Sequence, residues 1–139
     1  MRLRTRLNLP PSEKLQVPLA IIIGKCDTWK YLLGPEALLP SVRNGMFMPE
    51  HIDINSARLR QFIFNIAPHI CSSAEAISSN VRYFAASALG ESPVEFMDER
   101  SGTVLIGPAS GSVHPVRVAE PLLWVLHNAS PSLIPSSHS

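Results

Sequence analysis

Two tetrapeptides hold the side chains best suited to ligand chemistry, "GKCD" at Gly24 to Asp27 and "SALG" at Ser87 to Gly90. In the first, Lys25 and Asp27 stand one residue apart. An ionised carboxylate can accept a pair of hydrogen bonds from a ligand that offers two donors, and such charge-assisted contacts are roughly twice as strong as neutral ones. Lysine can lay its methylene stem on an apolar or planar surface while its ammonium stays in water. In the second, Ser87 offers a hydroxyl and Ala88 is small enough for a ligand to approach the backbone. The same residues can also make plain turns, with Asp27 capping a following helix and Ser87 bracing its own loop.

The elements that precede these peptides say where they would lie. "VPLAIII", from Val17 to Ile23, shows no polar alternation, which is the pattern of a parallel strand covered on both faces. "VRYFAAS", residues 81 to 87, begins with β-branched and aromatic residues and reads as a second strand. Each tetrapeptide then sits at the carboxyl end of a strand, where open parallel sheets bind their ligands. If the strands are neighbours, the two loops form one slot for a planar molecule.

Between the strands, a short helix carries Trp29, Tyr31, Leu32 and Leu33 until Gly34 and Pro35 break it. Residues 36 to 51 read as an irregular surface insertion. From Asn55 the residues Leu59, Phe62, Ile63, Ile66 and Ile70 recur at helical spacing, and Pro68 should kink or split that helix. A second piece continues through Ala76 and Ile77. Residues 91 to 116 predict a loop or small hairpin around "TVLIG". A last helix starts near Arg117 or Val118, with Leu122, Val125 and Leu126 on one side and Pro121 in its first turn. The order indicates an α/β layered fold, a partial parallel sheet flanked by helices. It divides into an N-terminal segment at 1–15, a partial α/β domain at 16–128 with insertions near 34–52 and 91–116, and a Ser/Pro-rich tail at 129–139 expected to be disordered.

Composition narrows the partners. The 139 residues are 45% hydrophobic, enough for one domain with a moderate core. Lys plus Arg number 12 against 11 Asp plus Glu, so no global charge excess draws the chain to nucleic acid or to an anionic membrane. Cys26 and Cys71 lie far apart without a CxxC partner, and a reducing cytoplasm is the expected location. "LAIII" is too short to span a bilayer. "HID" at His51 to Asp53 lacks a second ligand pair for a metal, and no Ser/His/Asp order or paired-carboxylate spacing indicates a catalytic site.

Taken together, "VPLAIIIGKCD", "VRYFAASALG" and "RVAEPLLWVL" resemble the second half of the larger bacterial GTPase-like P-loop domains. The two tetrapeptides are similar to the guanine-reading loops of that family, [NT]KxD and SAx. The resemblance implies that Asp27 accepts two hydrogen bonds from the guanine edge and that Lys25 covers one ring face. It further implies that the Ala88 backbone N–H meets the guanine carbonyl, that Ser87 steadies the loop, and that Leu89 lies near the other face. Gly24 departs from the pattern, standing where the family has Asn or Thr to tie the loops together. The chain also contains no GxxxxGK[ST], no DxxG and no magnesium-binding switch Thr. Without a phosphate cradle there is no route to hydrolysis, so the isolated chain is not expected to be an enzyme. The expected cofactor is GTP or GDP, bound only when an N-terminal half is present, with Mg2+ held outside this chain. The expected partner is that missing half, or a protein pairing with the exposed sheet edge. The alternative is a catalytically inactive α/β protein-interaction module.

Overall fold

In the computed structural model, residues 10, 12–34, 38–109, 111 and 113–137 are described. The expectations for residues 1–9, for the break at Pro35 and for His138 lie outside them. The central element is a parallel pair, β1 (Leu15–Ile23) with β4 (Ser78–Ala85), in which Leu19 to Ile23 align with Val81 to Ala85. After β1 come the short α1 (Cys26–Trp29) and a 3-10 turn (Lys30–Leu33) that ends at Gly34. A small antiparallel ribbon, β2 (Val42–Arg43) and β3 (Met46–Phe47), leads into α2 (Pro49–Ile66) and α3 (Pro68–Ile77). A separate hairpin, β5 (Val94–Met97) and β6 (Val104–Gly107), follows β4, and α4 (Glu120–Ala129) closes the order.

Side-chain alternation assigns each strand residue to a layer. Ile21, Ile23, Tyr83 and Ala85 face Leu59 and Ile63 of α2 and Cys71 of α3. Ala20 and Phe84 face Trp124 of α4, together with Phe47 and Ile52. Full burial of Phe84, Ile52 and Leu59 contributes about 1.5–3 kcal/mol for each side chain. The sheet is thus covered by α2 and α3 on one face and by α4 on the other. This is an α/β fold with a parallel pair at its centre.

The two edges of the pair differ. In a parallel ladder, backbone groups of successive residues turn to opposite sides. The Ile23 carbonyl accepts from the Ala86 N–H at 3.0 Å, so Ile21 and Ile23 turn towards β4, and Ala20 and Ile22 turn outward. Pro18 falls in the same outward phase, where its missing N–H costs no ladder bond. Among the described residues no strand pairs with this outer edge, and Ile22 is 56% and Val17 50% exposed. Both faces of β1 carry helices, as expected, yet the strand is only half-buried because its outer flank lacks a neighbour. The outer edge of β4 is closed. Helix α2 crosses it, with Ile52 in one layer and Leu59 in the other, and between them the Ser56 hydroxyl accepts the Tyr83 N–H at 2.9 Å. Beyond α2, Ser87 and Val116 exchange two backbone bonds of 3.0 and 2.8 Å.

Several boundaries depart from the sequence reading, among them α4, which starts at Glu120 and not near Arg117 or Val118. Helix α2 starts at Pro49, not Asn55, because Pro at the first turn needs no N–H partner. Asn55 lies inside the helix, where its side chain holds both the N–H and the carbonyl of Leu39 at 2.8 Å. Strand β4 starts at Ser78, ahead of the expected position 81. The tail is ordered over its described residues: Phe47 N–H donates to the Pro135 carbonyl at 2.8 Å, Ser137 N–H donates to the Phe47 carbonyl at 3.1 Å, and Ile134 packs on the second core cluster. Other expectations match. Pro68 splits the long helix, residues 94–107 form the small hairpin, and Pro121 falls in the first turn of α4. Among the described residues no helix is long and apolar enough to cross a membrane.

Candidate nucleotide-base site

The loop after β1 turns sharply at Lys25, whose φ of 54° and ψ of 41° lie in the left-handed region. A residue with a Cβ is disfavoured there and needs outside support. Thr28 gives it from one side, donating its backbone N–H at 3.0 Å and its hydroxyl at 2.8 Å to the Lys25 carbonyl. The buried Cys26 gives it from below, donating its N–H to the Ala86 carbonyl at 3.1 Å. Burial is also the main cause that pushes the Cys26 thiol above its ordinary pKa, which leaves it a packing residue and not a nucleophile. The turn directs the Lys25 side chain to solvent and Asp27 towards the loop that follows β4.

Ser87 meets it there. Its hydroxyl donates to Asp27 Oδ1 and accepts the Gly90 N–H at 2.9 Å. The possibility that Asp27 caps the next helix is excluded by this geometry, since Lys25 holds the cap position and makes no side-chain cap bond. The 87–90 loop is sewn to the segment ahead of α4. His114 N–H donates to the Leu89 carbonyl at 2.9 Å, next to the Ser87–Val116 pair. Gly90 fits beneath that segment only for want of a side chain: it has φ of +81°, and a Cβ there would lie 1.9 Å from the His114 carbonyl oxygen.

Between the two loops is a cleft of 210 Å³, lined by Lys25, Asp27 and Thr28 on one side and by Ser87, Ala88, Leu89 and Pro93 on the other. All five residues singled out from the sequence therefore converge on one site. Drug-sized ligands occupy roughly 300–1,000 Å³, so this volume suits a single ring system. Among the described residues, Asp27 Oδ2, the Lys25 ammonium and the Ala88 N–H have no hydrogen-bond partner. The cleft thus holds a carboxylate and an ammonium beside a mainly apolar lining. Thr28 and Pro93 line the cleft without a sequence signal, and the reading of Trp29 as a helix residue gives no sign of its part beside the turn. Trp29 donates its indole N–H to the Gly24 carbonyl at 2.8 Å, and no sequence pattern announces such a bond.

A larger cleft of 490 Å³ lies along the outer edge of β4. Its carboxylates are already paired: Arg60 grips Glu75 through two parallel bonds, one of 2.9 Å, and Arg82 holds Asp53 at 2.8 Å. Arg60 donation holds Glu75 below the usual carboxylate range. Among the described residues no cluster of His, Cys, Asp and Glu could hold a metal ion. The chain matches no protein-family model, no curated protein and no solved structure.

Proposed function

We propose that this chain supplies the guanine-recognition loops of a GTPase-like nucleotide-binding switch protein, with the phosphate and magnesium sites carried by another segment or another chain. One observation supports this reading above the rest: loops 60 residues apart meet so that Ser87 holds Asp27 in a cleft that Ala88 also lines. Guanine presents two adjacent donors to a carboxylate, and its carbonyl accepts from a backbone N–H. Adenine has no such donor pair. Lys25 and Leu89 would flank the ring, and Thr28 and Pro93 would bound the cleft. In this reading these residues recognise only the base, and hydrolysis would fall to the segment that carries the phosphate site.

The partner in this reading joins the outer edge of β1, where Ala20 and Ile22 turn their backbone groups outward and Ile22 stands 56% exposed. A strand from the phosphate-binding part would complete the sheet there and remove an edge open to aggregation. GTP and GDP need the missing half in this reading, so the test uses GMP and AMP at high concentration, which engage the base loops alone, on the labelled full chain and on Asp27→Ala. GMP preference that vanishes in the variant supports the reading. Equal response to both bases rejects it.

One observation favours a second reading, a protein-interaction module. In the β5–β6 hairpin, Met97 is 67% and Ile106 72% exposed, and a lone two-stranded ribbon is marginally stable in water. That reading predicts no response to either nucleotide.

A further inference from the structure

We propose that Trp29 is the positioning residue of the base cleft, bracing the turn that aims Asp27. The inference rests on the base-reading role proposed above. The left-handed Lys25 is gripped on its carbonyl side by Thr28. The preceding peptide needs its own brace, and Gly24 has no side chain to provide one; a Cβ built at Gly24 would meet nothing within 4 Å. The brace comes from Trp29, one turn further on, through its 2.8 Å indole bond to the Gly24 carbonyl.

The indole is itself fixed. It stacks on Phe62 of α2, ring centroids 5.2 Å apart and planes 16° from parallel. Helix α2 is in turn pinned to β4 by the bond between Ser56 and the Tyr83 N–H. A chain of contacts therefore runs from β4 through α2 and Phe62 to Trp29, Gly24 and the Lys25 turn. It sets where the loop after β1 stands relative to the loop after β4, which is the width of the cleft. Phenylalanine keeps one ring for the stack but lacks the N–H and part of the ring area, so a tryptophan that served only as apolar packing would lower the stability of the whole fold without selectively loosening the turn.

Trp29→Phe in the full chain separates the two roles. Amide hydrogen exchange at Cys26 and Thr28, both hydrogen-bonded amides of the turn, reads the brace. Exchange at Phe84 in the sheet reads global stability. GMP and AMP titrations read the cleft. We expect the Cys26 and Thr28 amides to exchange about tenfold faster and GMP to bind about five- to tenfold more weakly, the worth of one hydrogen bond, with Phe84 and AMP unchanged. Wild-type exchange at Cys26 and Thr28 in the variant overturns the proposal, and it does so even if the wild-type chain prefers GMP. A wild-type chain indifferent to the base, with loosened Cys26 and Thr28 in the variant, rejects the base-reading role and keeps Trp29 as the brace of the turn. Should Trp29→Phe unfold the chain, Phe62→Leu tests the same path: it leaves the indole donor in place, and the proposal requires faster exchange at the same two amides.

Discussion

Ser87 donates its hydroxyl hydrogen to Asp27 Oδ1 and accepts the Gly90 N–H on the same oxygen, so one side chain joins two loops that lie 60 residues apart. The carboxylate is held in one orientation before any ligand arrives, which lowers the ordering cost of binding. Replacing Ser87 by Ala removes the donor to Asp27 and strands the Gly90 N–H. The expected loss is about 1–2 kcal/mol of stability, visible as a lower urea midpoint, together with weaker GMP binding. An unchanged midpoint would mean that the two loops are held together by the backbone bonds of Ala86 to Ile23 and Cys26 alone.

The contact beneath Gly90 makes a sharper test of the same loop. Gly90→Ala places a Cβ 1.9 Å from the His114 carbonyl oxygen at a backbone with φ of +81°. The chain must shift, at a cost of at least about 2 kcal/mol. Gly24→Ala is the control, since a Cβ there meets nothing within 4 Å, and it should change the urea midpoint little. Equal midpoints for the two variants would contradict the ladder between residues 87–89 and 114–116.

Acid stability reports on the larger cleft. Donation from Arg60 lowers the Glu75 pKa from its ordinary 4.5 in the folded state. A depressed folded pKa means that this contribution is present above the unfolded value and lost as pH falls through the folded one. The pair is partly exposed, at 43% and 35% of its side chains, so its worth is at most about 1 kcal/mol. Glu75→Gln should be less stable than wild type by that amount at neutral pH, and the difference should close in acid. Glu120 has the opposite sign: burial raises its pKa despite the Arg117 ion pair, so its contribution is lost as pH rises. Because Glu120 is common to both proteins, the difference between them isolates Glu75.

How much was legible in the sequence follows from the range of each interaction. β1 and the cleft at its end could be read because an unbroken apolar run and two short loops are local signals. Pro68 was equally plain, since a missing N–H splits a helix wherever it falls. The start of α2 was hidden because "PEHID" carries one apolar residue, Ile52, and that residue packs on Phe84 and not on the layer that Leu59 and Ile63 fill. The first residues of β4, Ser78 to Asn80, are poor strand formers taken into the ladder by tertiary bonds such as Ser78 Oγ to the Val17 carbonyl at 2.7 Å. The tail was misjudged from composition, because nothing local tells that Ser136 bridges to Phe47. Trp29 was assigned to a helix correctly, yet its bond to Gly24 depends on the left-handed turn at Lys25, which a residue with a Cβ does not advertise.

The central claim is that Asp27 reads a guanine edge in a cleft shared with Ala88. The most direct measurement is a nuclear magnetic resonance titration of the labelled full chain, following the Ala88 amide with GMP and with AMP, in wild type and in Asp27→Ala. The account predicts that GMP shifts the Ala88 amide at lower concentration than AMP does, and that Asp27→Ala removes the difference. An Ala88 amide that responds to both nucleotides alike, or to neither, would contradict it.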